Sequence, residues 1–273
     1  MASKADLSGF RNPSFLIIGA QRCGTTSLFR SLMQHPRIRP PVKKEIHFFD
    51  DHYHLGRDWY CSHFPPVRLF EGLITGEASP YYLYHPLAPS RVAGTYPDMK
   101  LIVLLRNPVD RAWSHYHHNR RRGRESRSFE DALAMEASQL KGEEERMVFE
   151  PGYKSEIHRH FSYTARGIYA PQIRRWLDCF RRNRFLFIRS EDYFKCPQKI
   201  LESVFDFLGV GATNRIMVPE KPAHANGGMP QETRQRLEAY YLPYNLELGT
   251  ILGIDPVWDA GRGKTRAKEG GGI

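Results

Sequence analysis

Two short segments of the sequence combine glycine, hydroxyl and arginine residues in spacings that suit the binding of phosphate groups. In the first segment, four residues separate Gly19 from Gly24, directly after an apolar run at 14–18. A strand followed by this glycine spacing is the skeleton of a phosphate-binding loop, in which main-chain N–H groups and the start of the next helix surround anionic oxygens. Considered alone, the spacing is equally compatible with an ordinary strand–turn–helix junction.

The residues after Gly24 distinguish this loop from that of a nucleoside triphosphatase. A triphosphatase has lysine and then serine or threonine after the second glycine, whereas this sequence has Thr25 and Thr26, with its basic residue earlier, at Arg22. We also recognise no second-strand aspartate for magnesium, although the hydroxyl group of Thr26 could still coordinate a metal. We therefore interpret the loop as a site for one terminal phosphate, held by hydroxyl groups and a single cation.

The second segment follows the apolar run at 100–105. Arg106 stands at the end of this run, and Ser114 lies eight residues further on, in a stretch at 109–118 that is predicted to be helical. Ligands of open α/β sheets bind at the carboxyl ends of strands, where an arginine and a serine on the next helix could hold a second phosphate. Alone, Arg106 would be interpreted as a capping residue or as the partner of Asp110; together with the loop, a second phosphate site is the better interpretation.

The elements that must position these residues alternate between strands and helices. Predicted strands cover 14–18, 100–105 and 185–188. Such alternation favours an α/β fold: a single domain with a mostly parallel sheet flanked by helices and a P-loop-like phosphate-binding loop. The predicted helices cover 27–33, 109–118, 129–140, 170–180, 197–208, 231–241 and 246–252.

Composition limits the classes of partner and of site. The net charge of +10 suits anionic partners such as nucleotides, nucleic acids, acidic glycans or membrane surfaces. The four cysteines and twelve histidines show no metal-ligand spacing, so we expect no metal. The sequence has no signal peptide and no apolar stretch long enough to span a membrane, so we expect a cytoplasmic protein or the soluble part of a larger one. It does not indicate an oligomeric state.

Three segments together resemble the sulfotransferases that use 3′-phosphoadenosine 5′-phosphosulfate (PAPS). They cover 15–28, 45–50 and 101–116, the last reading LIVLLRNPVDRAWSHY. The nearest branch is the one that sulfates heparan sulfate, by N- or 3-O-sulfation, and shorter matches occur at 166–169, 176–177 and 190–192. The resemblance implies a sulfotransferase domain over 14–255, with an N-terminal extension at 1–13. The basic, glycine-rich tail at 261–273 is predicted to be disordered.

The resemblance also implies which residues bind PAPS. In this family the first loop holds the 5′-phosphosulfate, and Arg106 with Ser114 would hold the 3′-phosphate. The family usually has lysine where Arg22 stands; arginine keeps the charge and is implied to stabilise the bridging oxygen as the product 3′-phosphoadenosine 5′-phosphate (PAP) leaves. The loop residues implied to bind the cofactor are Arg22, Cys23, Gly24, Thr25, Thr26 and Ser27.

Glu45 matches the carboxylate that acts as the catalytic base in the heparan sulfate branch, and His47 matches a histidine beside it. An attacking hydroxyl or amine must lose a proton, and a carboxylate or imidazole can accept it. Alternate residues of an extended segment face the same side, so both side chains could reach one pocket. The alternative is that Glu45 pairs with Lys43 or Lys44 at the surface, while His47 packs among the phenylalanines that follow it.

The sequence departs from the heparan sulfate branch at two places. The branch has a lysine where Ala78 stands, so Lys44 becomes a candidate for the missing cation. The branch also has a basic loop near the C-terminus that helps to enclose the cofactor, and the counterpart at 224–228 carries less charge. The resemblance implies a carbohydrate-like acceptor, and the missing lysine implies either a different acceptor or a different cation in the site.

Two other classes of function remain as alternatives. A P-loop kinase or another NTP-dependent enzyme would need the lysine and the magnesium carboxylate that the loop lacks. A nucleic-acid- or polyanion-binding protein could use the basic run at 120–127, although Glu125 interrupts it and such runs usually form solvated surfaces. We expect no nucleic-acid partner. Cys23 could act as a nucleophile at a helix N-terminus, but without a recognisable histidine partner we interpret it as loop packing.

Overall fold

The computed structural model describes residues 12–66, 72–213, 216–218, 228–254 and 258. The predictions for 1–11, for the loop at 224–227 and for the tail at 261–273 fall outside these residues. Within them the chain forms one five-stranded sheet, in the order β2-β3-β1-β4-β5, and all four strand pairs are parallel. This confirms the predicted parallel α/β fold. The strands are β1 (Phe15–Gly19), β2 (Ile38–Arg39), β3 (Ile74–Ala78), β4 (Lys100–Leu105) and β5 (Phe185–Arg189).

Eleven α-helices flank this sheet in the described part of the chain. None of them combines the length and the apolar character that a membrane-spanning helix requires. The helices are α1 (Thr25–Leu32), α2 (Gly56–Cys61), α3 (Ala88–Thr95), α4 (Pro108–Arg121), α5 (Phe129–Leu140), α6 (Glu143–Phe149), α7 (Glu156–His160), α8 (Tyr169–Leu177), α9 (Ser190–Lys195), α10 (Pro197–Leu208) and α11 (Gln231–Leu252).

The sequence analysis missed β2 and β3. β1 was recognised because it is a continuous apolar run that is buried along its whole length, as expected for a central parallel strand. β3 is also central and largely buried, but its sequence, ITGEA, contains a buried glutamate. Gly76 is needed there because a Cβ atom would lie 2.4 Å from the main-chain oxygen of Phe15 on β1. The polar composition of β3 therefore concealed a core strand.

The prediction of two separate C-terminal helices was wrong, because α11 continues through Pro243. Proline removes one helical hydrogen bond and normally breaks a helix. Here one face of the helix remains buried on both sides of it, through residues Leu237, Tyr241, Asn245 and Leu248. This spacing of four, four and three residues is that of one continuous helical face, so tertiary packing outweighs the local effect of the proline.

The order of the strands brings the candidate residues together. β1 lies between β3 and β4, and all three run in the same direction. Their carboxyl ends therefore meet at one edge of the sheet, where open α/β sheets bind ligands. β1 leads into the glycine loop, β3 into Ser79, and β4 into Arg106.

Candidate active site

A cavity of about 530 Å³ opens at this edge of the sheet. The glycine loop and the segment after β2 line two of its sides, and the end of α4 and the region of α7 line the others. Five arginines and two glutamates contribute to its walls, so the cavity is strongly cationic. The titratable residues that line it are Arg22, Glu45, His47, Tyr81, His118, Arg122, Arg124, Glu156, Arg159, His160 and Arg166.

The glycine loop presents the start of α1 to this cavity. Gly24 has a left-handed backbone, with φ at 94°, and a Cβ atom there would lie 3.0 Å from the ring of Phe194. Glycine is therefore required at this position. α1 begins at Thr25 with no acidic residue in its first turn, and Thr25 and Thr26 both line the cavity. The positive end of the helix dipole and two hydroxyl groups are thus available to an anion.

Arg22 connects the two predicted phosphate contacts. Its Nε donates a hydrogen bond to Ser114 Oγ at 3.1 Å, and Arg106 donates to the carbonyl oxygen of Arg22 at 3.3 Å. Burial, followed by the nearby guanidinium groups of Arg121 and Arg106, lowers the pKa of Arg22 to about 10, so it remains charged at neutral pH. The structure therefore brings the loop and the Arg106–Ser114 pair together as one cationic cluster.

Two of the loop residues predicted to bind the cofactor have other contacts. Cys23 is fully buried, and its Sγ lies 3.7 Å from the hydroxyl group of Tyr169. Burial raises the pKa of this thiol to about 11, which excludes a thiolate nucleophile at neutral pH. The hydroxyl group of Ser27 lies 3.1 Å from that of Tyr193. Of the loop residues predicted to bind the cofactor, Arg22, Thr25 and Thr26 line the cavity.

Elsewhere in the lining of the cavity, His47 lies between two carboxylates. Its Nε2 is 3.3 Å from Glu45 Oε2, and its Nδ1 is 2.7 Å from Asp50 Oδ2. Burial alone would lower the pKa of His47, but the hydrogen bonds to Asp50 and Glu45 outweigh it and raise the pKa to about 9. Burial likewise opposes the charge of Glu45, but His47 and Lys44 lower its pKa to about 2. At neutral pH this wall therefore carries an imidazolium between two carboxylates.

Glu45 and His47 share the cavity as expected, but the backbone that carries them is not simply extended. His47 has φ at 58°, in the left-handed region, and starts a short π-helical turn over Phe48–His52. This turn brings Asp50 back onto His47, a contact that the sequence analysis missed. The alternative interpretation is correct in one part, because Lys44 pairs with Glu45. In its other part it is wrong, because Phe48 and Phe49 point into the core while His47 contacts the two carboxylates.

The sequence analysis also missed two arginines that line the cavity, Arg159 and Arg166. Arg159 binds the carboxylate of Asp51 and lies 3.2 Å from His47 Nδ1. Arg166 is fully buried, donates to the Gln21 side chain in the glycine loop, and has its pKa lowered to about 10 by burial. The weak sequence match at 166–169 contained the only signal for either residue.

His47, Asp50 and Asp51 are also the one group of the described residues that has the arrangement of metal ligands, with atoms within 4.8 Å of one another. The guanidinium of Arg159 lies among them, 4.0 Å from Asp50 and in contact with Asp51. A side-chain cation thus already neutralises this acidic group.

The comparisons with known proteins place this chain in a family. The model of the sulfotransferase domain matches residues 12–222. Heparan sulfate glucosamine 3-O-sulfotransferase 6 of Mus musculus is 32% identical, in an alignment that covers 91% of this chain and 74% of the relative. The bifunctional heparan sulfate N-deacetylase/N-sulfotransferase 4 of Mus musculus is 29% identical, over 88% of this chain but only 30% of that protein.

A solved structure supports the same family. The crystal structure of a sulfotransferase from Alicyclobacillus acidocaldarius superposes with a TM-score of 0.72 and 33% sequence identity. The match covers 90% of this chain and 97% of that one, so the two share the whole fold.

Proposed function

This chain belongs to the sulfotransferase domain family of PAPS-dependent enzymes, and on that basis we propose that it sulfates a hydroxyl or amino group of an anionic, heparan-sulfate-type carbohydrate. One observation carries the proposal: the glycine loop and the Glu45–His47 pair line the same cavity. A phosphosulfate held by the loop and an acceptor held beside Glu45 would therefore meet within it.

The cationic cluster would bind the two ends of PAPS. Thr25, Thr26 and the start of α1 suit the 5′-phosphosulfate, and Arg106 with Ser114 suits the 3′-phosphate. Arg22 donates a hydrogen bond to Ser114, and PAPS binding would exchange this hydrogen bond for contacts to phosphate oxygens. Cys23, Gly24 and Ser27 would then shape the loop, with Gly24 providing its left-handed turn.

Glu45 would act as the base. The acceptor oxygen or nitrogen forms a bond to sulfur, the bond from sulfur to the bridging phosphate oxygen breaks, and Glu45 takes the acceptor proton. Because His47 is already protonated at neutral pH, it is assigned to orient Glu45, and Asp50 to orient His47. Arg22 would stabilise the negative charge that develops on the bridging oxygen as PAP leaves.

The charge of the cavity supports an anionic acceptor. Arg122 and Arg124 are exposed at the mouth, where the end of α4 borders the cavity. The basic run at 120–127 is otherwise largely occupied, because Arg127 pairs with Glu125 and Arg120 donates to the carbonyl groups of Glu125 and Ser126. The two relatives named above act on heparan sulfate, a substrate that fits such a mouth.

The proposed catalytic domain spans residues 14–255, beyond the end of the family match at 222. α11 packs against α8 and α4, and α4 carries Ser114. The hydroxyl group of Tyr241 on α11 donates to the carbonyl oxygen of Thr164, and its ring lies directly over Gly167. α11 thus supports the segment that positions Arg166.

The test is sulfuryl transfer from PAPS labelled with ³⁵S. The acceptors are heparan sulfate, N-desulfated heparan sulfate, chondroitin and neutral dextran, with identification of the labelled position in any product. We expect label on the anionic heparan-type chains and none on dextran. Hydrolysis of ATP with magnesium, without any sulfuryl transfer, would instead identify the chain as an NTP-dependent enzyme.

A further inference from the structure

A fully buried carboxylate lies directly behind the segment that carries Glu45 and His47. Glu77, the fourth residue of β3, is 0% exposed. Its Oε1 accepts hydrogen bonds from the hydroxyl groups of Tyr60 at 3.0 Å and Tyr82 at 2.7 Å. Its Oε2 accepts from the main-chain N–H of Ile46 at 3.1 Å and from the hydroxyl group of Ser79 at 2.6 Å. Four donors therefore converge on this one side chain.

Three of these four hydrogen bonds connect Glu77, directly or through one hydroxyl group, to consecutive main-chain N–H groups of residues 45–48, here called the catalytic segment. Ile46 donates to Glu77 directly. His47 N–H donates to Ser79 Oγ at 3.2 Å, and Phe48 N–H donates to Tyr82 Oη at 2.8 Å. Because each of these hydroxyl groups accepts from the backbone and has a single proton, that proton is directed to Glu77.

This arrangement compensates for the irregular backbone of the segment. Residues 45–47 belong to no helix or strand, and His47 has φ at 58°, in a region that a non-glycine residue adopts only when its surroundings hold it there. Buried N–H groups without partners would destabilise such a turn. The Glu77 network supplies these partners.

We propose that Glu77 is a positioning residue, whose carboxylate holds Glu45 and His47 at the cavity wall through Ile46, Ser79 and Tyr82. This inference rests on the proposed role of Glu45 as base. A carboxylate suits the position because all four neighbouring groups donate. A glutamine would place its own N–H₂ donors against two of them.

The test uses Tyr82→Phe and Ser79→Ala. Each substitution removes one hydroxyl group that connects Glu77 to a main-chain N–H group, of Phe48 or of His47, and keeps Glu77 itself. Tyr116→Phe is the matched control, since it deletes a buried tyrosine hydroxyl that donates to the carbonyl oxygen of Arg127, outside the cavity lining. We expect kcat to fall about 10- to 100-fold in the two test variants, as for a displaced catalytic group. PAP affinity, measured by calorimetry, should stay within twofold, and the control should keep the wild-type kcat.

Tyr60→Phe refines the comparison. It removes a donor from the same Glu77 oxygen but no bond from the catalytic segment. We expect its kcat to fall less than that of Tyr82→Phe. If the two variants lost kcat equally, Glu77 would act only by stabilising the fold and the positioning role would be wrong.

A pH profile separates positioning from simple loss of stability. The pKa of Glu45 is about 2 because His47 and Lys44 outweigh its burial. When the segment loosens, the His47 contact weakens and this pKa rises toward 4.5. The acid limb of kcat should therefore move to higher pH in Ser79→Ala and Tyr82→Phe, but not in Tyr116→Phe.

The outcomes distinguish this inference from the proposed function. If Glu45→Gln keeps the wild-type rate, the base is misassigned and the proposed mechanism fails with it. If Glu45→Gln is inactive while Tyr82→Phe and Ser79→Ala match the control in kcat and in their acid limb, only the positioning role of Glu77 is overturned.

Discussion

The two walls of the cavity are built in different ways. The wall that we propose to bind the cofactor is a continuous stretch of chain, residues 19–27, with Arg106 and Ser114 in contact with its Arg22. The wall that we propose to bind the acceptor is an irregular segment, held by side chains from β3 and the region of α7, up to 112 residues away. Local sequence can therefore encode the first wall, whereas only the folded chain assembles the second.

The walls also differ in how their charge is compensated. On the cofactor side, burial and then the nearby guanidinium groups of Arg121 and Arg106 lower the pKa of Arg22, and a dianionic ligand would relieve the repulsion between these cations. On the acceptor side, Glu45, His47, Asp50 and Arg159 alternate in sign; the two carboxylates raise the pKa of His47, and His47 lowers the pKa of Glu45. Substitutions should accordingly affect binding on one wall and the rate of transfer on the other.

The largest expected effect is on the acceptor wall. Glu45→Gln should lower kcat by about 10²- to 10⁴-fold, because the amide cannot accept the acceptor proton. PAP affinity should change little, since Glu45 lies in the segment after β2 and not in the glycine loop. Rates come from ³⁵S transfer and affinities from calorimetry. Glu150→Gln, an exposed glutamate on the surface after α6, serves as the control; equal rates in the two variants would place the base elsewhere.

On the cofactor wall, Arg106→Ala should weaken PAP binding by about 100-fold, the loss expected for charge-assisted hydrogen bonds to a phosphate. Adenosine 5′-phosphate lacks the 3′-phosphate, so its affinity should fall much less. Calorimetry with both ligands isolates the contribution of that phosphate. An equal loss for the two nucleotides would show that Arg106 supports the loop and does not contact the 3′-phosphate.

Asp50→Asn tests the coupling of charges on the acceptor wall. The pKa of His47 is raised to about 9, so its contacts stabilise the fold fully below pH 6.5 and lose this contribution as the pH rises toward 9. Without the Asp50 carboxylate, the pKa should move back toward 6.5 and kcat should fall about tenfold. NMR titration of His47 and Tm as a function of pH measure both effects; an unchanged titration would contradict the assigned contact.

A smaller effect is expected at the cavity mouth. Arg124→Gln should raise the KM for a heparan-type acceptor about two- to fivefold, because an exposed ion pair contributes little, and should leave kcat unchanged. The difference from wild type should shrink as salt is added. If the variant and the wild type have the same KM at low salt, Arg124 does not belong to the acceptor-binding surface.

The smallest expected effect is that of a chelator. Since Arg159 already neutralises the His47–Asp50–Asp51 group, EDTA should leave the rate of sulfuryl transfer unchanged. Activity that is lost with EDTA and restored by a divalent cation would show that a metal displaces Arg159 from this group.

The failures of the sequence analysis have physical reasons. β3 was missed because its buried Glu77 and Gly76 resemble a loop, although the glutamate is satisfied by four donors and the glycine permits close contact with β1. α11 was divided at Pro243 because local propensity does not include the packing of its buried face. In both cases tertiary contacts reverse what the local pattern indicates.

The sequence by itself determined the parallel α/β fold, the glycine loop and the association of that loop with Arg106, because these depend on contiguous apolar runs and on the residues that directly follow them. By resemblance, it also predicted Glu45 and His47 as site residues. Only the tertiary structure brought Asp50 onto His47, Arg159 into the acidic group, and Glu77 behind the catalytic segment. Arg159 and Glu77 are far from this segment in the sequence, and Asp50 reaches His47 only through the irregular turn at 48–52. No local pattern in the sequence records these contacts.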